Sequence, residues 1–448
     1  MKKEKRMKKM MVVGCMSAMA LMGCAEKVSA SDVAKNTILE KVPVAKVWPS
    51  TSVEFASEVV GDQQFICFYD ADRVMTAAQR KLGSSEWTFQ KLPSTLGWDS
   101  HNYVVLTLDD DGFIHISGNM HVVPLVYFRS TKPYDVTSLV SVHRMTGEKE
   151  NLVTYPKFLR GAKGELIFNY RDGSSGKGDQ IYNVYDLKTR SWTRLLDRPL
   201  TDGQGKMNAY FNGPTLGPDG YFHMTWIWRD TPDCSTNHDL CHARSKDLVH
   251  WETMDGTPIA LPIRLNTPGV LVDPVKIKQG MLNGNGQIGF DSKKRIVLAY
   301  HKFDANGNTQ LYNARWEGNE WKIYQASDWN YRWYFSGVGS IINDIHITPV
   351  KLIDGQLTQG FFHKTEGSKT WILDEETLKP IGTLKQPPLP KEISKVRSTF
   401  PQMLVKTQRD HKDSSYMLRW EVLPRCRDAV RPKPWPEPVM LEVYKLKK

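Results

Sequence analysis

A turn-and-strand unit recurs along this chain about every 60 residues, and no other feature narrows its possible folds as far. From about residue 45 onward, apolar residues almost never fall at helical spacing; short alternating runs rich in Val, Ile, Tyr, Phe and Trp follow one another instead. YVVLTLD (103–109), FIHIS (113–117), LVYFRS (125–130), ELIFNYR (165–171), YFHMTWIW (221–228) and RIVLAYHKF (295–303) are the clearest predicted strands. The turn pairs Asp111-Gly112, Lys163-Gly164, Asp219-Gly220 and Asp354-Gly355 precede strands at separations of 52, 56 and 135 residues, and the last gap holds a degenerate copy at Ser292-Lys293-Lys294. A second series, Ser85-Glu86-Trp87, Arg190-Ser191-Trp192, Val249-His250-Trp251, Asn319-Glu320-Trp321 and Lys369-Thr370-Trp371, places a Trp where an outer strand should start. Four strands cannot bury both faces alone, so such units stack around an axis. About 400 folded residues hold six to seven of them, and PVMLEVYKL (438–446) is placed to close a ring. The expectation is an all-β, seven-bladed β-propeller over residues 45–448. A large β-sandwich is the alternative, and it leaves the recurrent turns unexplained.

Residues 1–24 stand apart from this pattern. MKKEKRMKKM is a basic segment, and the apolar run after it is too short for a permanent membrane span, which together read as an export signal. Leu21-Met22-Gly23-Cys24 resembles a lipobox, with lipidation expected at Cys24; cleavage near Ser29-Ala30 is the alternative, and 25–44 reads as a linker. The expected location is the periplasm or the cell surface, with membrane contact through the lipid anchor alone and a monomeric chain. The leader holds six Lys/Arg and one Glu, so residues 25–448 carry +6 of the formal +11. Basic clusters are absent there beyond short pairs, which argues against nucleic acid and leaves an acidic glycan as a compatible partner.

In a propeller, polar residues at the ends of inner strands converge on a central funnel. Asp99-Ser100-His101-Asn102 opens one predicted strand and Gly118-Asn119-Met120-His121 closes the next, so a hairpin would bring His101 and His121 to one mouth as general base, charge acceptor or metal ligands. Tyr170 and Arg171 end a strand before the Gly/Ser loop 172–178, and a structural hairpin is the alternative reading of that loop. Tyr could move a proton and Arg could pair with a carboxylate. Arg229, Tyr210 and His301 sit at the edges of predicted inner strands, and the run 328–334, with Trp333 beside Arg332, reads as a sugar platform. His223, Cys234 and His238, close to Cys241 and His242, are candidate ligands for a structural zinc ion. A Cys234–Cys241 disulfide or free thiols are the simpler reading. No cofactor is required by this pattern.

Several long motifs in order, FYDADRVMTAAQRKL, GWDSHNYV, HISGNMHVVPLVYFRS, FNYRDGSSGKGDQIYNVYD, WRDTPDCSTNHDLCHARSKDLVHWE and YHKFDANGNTQLYNARW, resemble the BNR-repeat proteins. Within that group the sequence most resembles seven-bladed propeller glycoside hydrolases (α-L-rhamnosidases) acting on L-rhamnose α-1,4-linked to D-glucuronate, and more distantly the propeller ulvan lyases. The resemblance implies an enzyme of acidic polysaccharides containing rhamnose and uronic acid. The hydrolases would use a histidine in the segment 47–55, on the face opposite the funnel; here no histidine precedes His101, and Thr51 or Ser52 stands in its place. The lyase pattern implies catalysis by His101, His121 and Tyr170. The lyase arginine falls near Val184, which leaves uronate neutralisation to Arg171 or Arg229, with Tyr210, His238, His301 and Trp333 as further substrate contacts. A catalytically silent glycan-binding propeller is the third reading.

Overall fold

A computed structural model describes residues 36–447. The export segment, Cys24 and the first part of the expected linker lie outside the described residues. Seven small antiparallel sheets follow one another along the chain, and none closes on itself. The first to sixth sheets are built on strands Ala56–Val60, Val104–Leu108, Val153–Arg160, Asn208–Leu216, Gln287–Phe290 and Ile345–Ile353, the short strand His121–Val123 pairing with Val153–Arg160 at the edge of the third. The seventh runs Leu404–Arg409, Tyr416–Val422, Val439–Leu446 and finally Ile38–Val47.

The repeated turns are one and the same hairpin, joining the first strand of a sheet to its second. Asp111-Gly112 leads into Ile114–Gly118, Lys163-Gly164 into Leu166–Ser174, Asp219-Gly220 into Phe222–Arg229 and Asp354-Gly355 into Gln356–His363. Gly112, Gly164, Gly220 and Gly355 have φ between 78° and 83°, the left-handed region that glycine enters without steric cost. In the degenerate copy before Ile296–Phe303, Lys294 takes this conformation at φ 62°. There Asp291 compensates by accepting the N–H groups of Lys293 and Arg295 at 3.0 and 2.9 Å.

From the second sheet to the sixth, the first strand packs on the sheet before it. The seventh sheet meets the first: Asp410 accepts from Ser57 Oγ at 2.5 Å, and Phe55 stacks on Trp420 with ring centroids 4.6 Å apart. Burying an aromatic side chain of this size stabilises by about 1.5–3 kcal/mol, so the chain ends are held by packing as well as by strand pairing.

Two expectations need correction. Strand Ile38–Val47 starts inside the segment read as a linker, because its hydrogen-bond partner is Val439–Leu446 at the far end of the chain and local pattern gives no sign of that pairing. Trp192, Trp251 and Trp321 do lie in fourth strands or their equivalent, but Trp371 sits in the third strand, Gly367–Leu373, where its ring packs 4.3 Å from Phe361. Among the described residues no helix is long and apolar enough to cross a membrane.

Candidate active site

Because the repeated turns occupy one end of each first hairpin, the start of the first strand and the end of the second lie together at the opposite end. His101 precedes Val104–Leu108 and His121 follows Ile114–Gly118, and their rings come to 4.2 Å between centroids. Asp99 joins them. Its Oδ1 contacts His101 Nδ1 at 2.6 Å and accepts the His101 N–H at 2.8 Å, while Oδ2 makes a short contact with His121 Nδ1. Burial opposes the charge on Asp99, but the hydrogen bonds from both histidines outweigh it and hold the carboxyl well below the usual range. With each Nδ1 donating to Asp99, each Nε2 is left as an acceptor.

Local backbone strain aims these groups. Asn119 and Val122, on either side of His121, both have φ 59°, a conformation a β-branched residue such as Val122 adopts only under constraint. The constraint comes from neighbours: Val122 N–H donates to Thr154 Oγ1 at 2.9 Å and Asn119 Nδ2 to Ser94 Oγ at 2.8 Å. Tyr155 also has φ 59°, in a bulge before Pro156 that interrupts the pairing of Val153–Arg160, and the Pro156 carbonyl accepts from the Tyr103 hydroxyl at 3.2 Å.

His101, His121, Tyr155, Tyr210 and Arg229 line a cavity of about 390 Å³. The Tyr155 ring lies 5.7 Å from that of His101 and 6.2 Å from that of Tyr210. Burial and the neighbouring Tyr210 push its phenol up to about 12 against the pull of Arg171 and Arg229, so it is a proton donor at neutral pH. Tyr155, Tyr210 and Glu54 also line an adjoining cavity of about 480 Å³ that contains Arg171. Arg171 is 2% exposed; Nη2 donates to Thr154 Oγ1 at 3.0 Å, the guanidinium stands 5.0 Å over the Tyr155 ring, and Nε and Nη1 have no partner. Arg229, by contrast, donates Nε to Thr231 O at 3.1 Å and Nη2 to Pro232 O.

The sequence-derived set is thus partly regrouped. His101, His121, Tyr210 and Arg229 share the first cavity, and Arg171, expected at a rim, is buried in the second. Tyr170 belongs to neither: it lies in the core with Phe168, Ile181 and Trp192, its hydroxyl accepting from Arg194 Nη1 at 3.1 Å. Neighbouring strand residues face opposite ways, so Tyr170 and Arg171 could not both enter the channel. Tyr155 takes the place expected of Tyr170; its sequence signal is Pro156 inside an otherwise regular strand. Tyr170→Phe should leave turnover of an acidic glycan unchanged and lower stability by about 1 kcal/mol through the lost hydrogen bond, as read by kinetics and thermal unfolding.

Other residues expected to contact a substrate also lie outside the histidine cavity. His238 has Nδ1 on Asp239 and Nε2 on Asp230, both at 3.0 Å; burial lowers its pKa, but these two carboxylates outweigh it and raise the value. Burial pushes His301 down to about 4, and its Nδ1 donates to Gly280 O at 2.8 Å. Trp333 is buried beside it at 5.3 Å, a core residue rather than an open platform. The proposed zinc ligands do not gather. His223 bonds Asp219 and His242 at the turn end of Phe222–Arg229, and Cys234 follows the other end, roughly 20 Å away at about 3.3 Å per residue. Cys234 and Cys241 are both free. Asp99, His101 and His121, whose donor atoms fall within 4.8 Å of one another, form the one cluster with metal-ligand spacing among the described residues. Ser52 lines the histidine cavity itself, so the segment 47–55 faces this site and not an opposite one.

Comparison with known proteins fits this arrangement. A stretch of 150 residues is 39% identical to the short isoform of an ulvan lyase from Alteromonas sp. (strain LOR), and spans 29% of this chain and 28% of that relative. In fold, the chain is similar to the polysaccharide lyase Uly1, with a TM-score of 0.60 at 13% identity over 91% of this chain and 99% of that one. It is also similar to a PL25 ulvan lyase bound to -[GlcA(1-4)Rha3S]-, with a TM-score of 0.58 at 12% identity over 91% and 96% of the two chains. Residues 63–329, more than half of the sequence and including every second-strand hairpin from the first sheet to the fifth, match the BNR repeat-containing family. By that match the chain belongs to the BNR repeat-containing family.

Proposed function

We propose that this protein is a polysaccharide lyase that cleaves a uronate-containing acidic glycan by β-elimination, on a propeller whose seven sheets are blades around one axis. The observation that carries the reading is the convergence on Tyr155 of an Asp99-linked histidine pair and a buried arginine with unpaired N–H groups. The three relatives named above are each lyases, which supports it. A uronate carboxylate in the cavity that Arg171 lines would have its charge offset by the guanidinium, which makes the C5 proton more acidic. Nε2 of His101 or His121 takes that proton, and the electron pair of the broken C5–H bond forms the C4–C5 double bond. The C4–O4 bond breaks, and the leaving oxygen takes its proton from the Tyr155 hydroxyl.

Hydrolysis, the reading the sequence resemblance placed first, fits the site less well. The histidine that the resemblance implies in the segment 47–55 is absent, and the more general route needs two carboxyl groups free to flank a glycosidic bond. Asp99 is engaged by both histidines, and Asp428 accepts from Ser100 and Ser340 at 2.7–3.0 Å, leaving Glu54 unengaged. Export with a lipid anchor at Cys24 would place the enzyme where polymeric glycans are met.

Incubation with ulvan should give a product absorbing as an unsaturated uronate, without free rhamnose. Release of rhamnose from rhamnose-capped arabinogalactan without unsaturation would assign a hydrolase instead, and retention on ulvan with no product would assign a binding module.

A further inference from the structure

Between strands Glu320–Gln325 and Ile345–Ile353 the chain runs for 19 residues without regular structure. Of its aromatic residues, Trp329 and Trp333 are buried, Tyr331 and Phe335 are half-buried, and Tyr334 is 77% exposed. Arg332 covers part of that ring, its guanidinium 4.8 Å from the Tyr334 centroid and 4.0 Å from that of Phe303, and it is anchored by Nη1 donating to Gly307 O at 2.9 Å.

The loop around Tyr334 is fixed at several points. Gly337 accepts from Cys234 N–H at 2.9 Å and donates to Asp233 Oδ1 at 2.8 Å. Asp428 binds Ser340 twice, and Arg427 Nη1 donates to Ser336 O and Val338 O at 3.0 and 3.1 Å. Gly339, at φ 77°, lets the loop approach Arg427 closely; a Cβ there would meet Arg427 O at 2.5 Å. Tyr334 borders a cavity of about 260 Å³ whose lining includes Ser340, Ile341 and Arg425. The same three residues line the cavity that holds His101 and His121, so the two spaces adjoin. Arg425 stands at the junction and Lys406 inside the first cavity, charges suited to an acidic chain passing between them.

We infer that this 260 Å³ cavity is a subsite for a further sugar of the same acidic chain, its pyranose ring lying on Tyr334 and its charged group near Arg425, so that the protein grips polymer beyond the bond it cuts. This rests on the lyase reading of the adjacent cavity. A pre-formed aromatic surface adds affinity without the cost of ordering a loop.

The test compares long-chain ulvan with purified ulvan tetrasaccharide. Tyr334→Ala should raise KM on the polymer by roughly three- to tenfold, the loss expected for one aromatic contact, and clearly more than on the tetrasaccharide. Tyr334→Phe should behave as the unmodified protein, since the ring supplies the contact. Equal losses on both substrates, or an unchanged KM on polymer, would overturn the subsite while leaving the lyase reading intact. Affinity electrophoresis in ulvan gels separates the two ideas further. If the unmodified protein is retarded but forms no unsaturated product, and Tyr334→Ala is retarded less, the subsite stands and the lyase reading falls. No retardation and no product would reject both.

Discussion

Asp99→Asn should lower turnover of a uronate glycan by about 10²- to 10⁴-fold, with little change in the folded structure. The carboxylate accepts from Nδ1 of His101 and of His121, and so holds both imidazoles in the tautomer that leaves Nε2 as a base. An amide has one acceptor oxygen. Its NH₂ group would face one of the two Nδ1 atoms and impose the opposite tautomer on that ring, removing a base without removing a side chain. kcat should carry most of the loss, since the cavity walls are unchanged. A variant that retains more than a tenth of the activity would mean that the histidines orient themselves without Asp99.

The same residue makes a claim about acid stability. Its folded pKa is depressed below the unfolded value of about 3.9. Its contribution is therefore fully present above that value and is lost only as pH falls through the lower, folded one. The stability advantage of the unmodified protein over Asp99→Asn should shrink as pH falls below about 4.

Arg171→Met should abolish most activity and yet leave the protein as stable as before, or more so. Removing the group that neutralises the uronate would cost about 10²- to 10³-fold in kcat, the usual loss for one charge-stabilising donor at a developing anion. The folded state, meanwhile, gives up a buried guanidinium whose Nε and Nη1 have no partner, and an apolar side chain of similar reach removes the cost of keeping that charge out of water. Gly178 shows how closely the stem packs: a Cβ there would meet Arg171 Cδ at 2.8 Å, so the unbranched chain of Met suits the space. Thermal unfolding and steady-state kinetics on one preparation decide the matter. A joint loss of stability and activity would make Arg171 a strut for Tyr155 and not a receptor for carboxylate.

The hairpins and their ends were readable without coordinates, because both are local. The Gly in each turn has a left-handed φ to occupy, and a pair such as His101 and His121 must meet when one residue precedes and the other follows the two strands of a single hairpin. The same logic locates the all-β architecture and the final strand, Val439–Leu446. Relations across sheets were not readable. Tyr155 reaches the cavity through a bulge held by contacts to another sheet, and Tyr170, which looks equally suitable in one dimension, points into the core because strand faces alternate. Trp333 and Tyr334 make the same point in a loop, one buried against His301 on a distant strand and one open. Sequence by itself determined the repeating element, the hairpin geometry and the histidine pair, all set by interactions within about 20 residues. Only the tertiary structure decided which faces turn inward, that Ile38–Val47 completes the last sheet, and that Tyr155 borders both the cavity of the histidine pair and the one that Arg171 lines, since those outcomes depend on packing between segments whose separation along the chain carries no local signal.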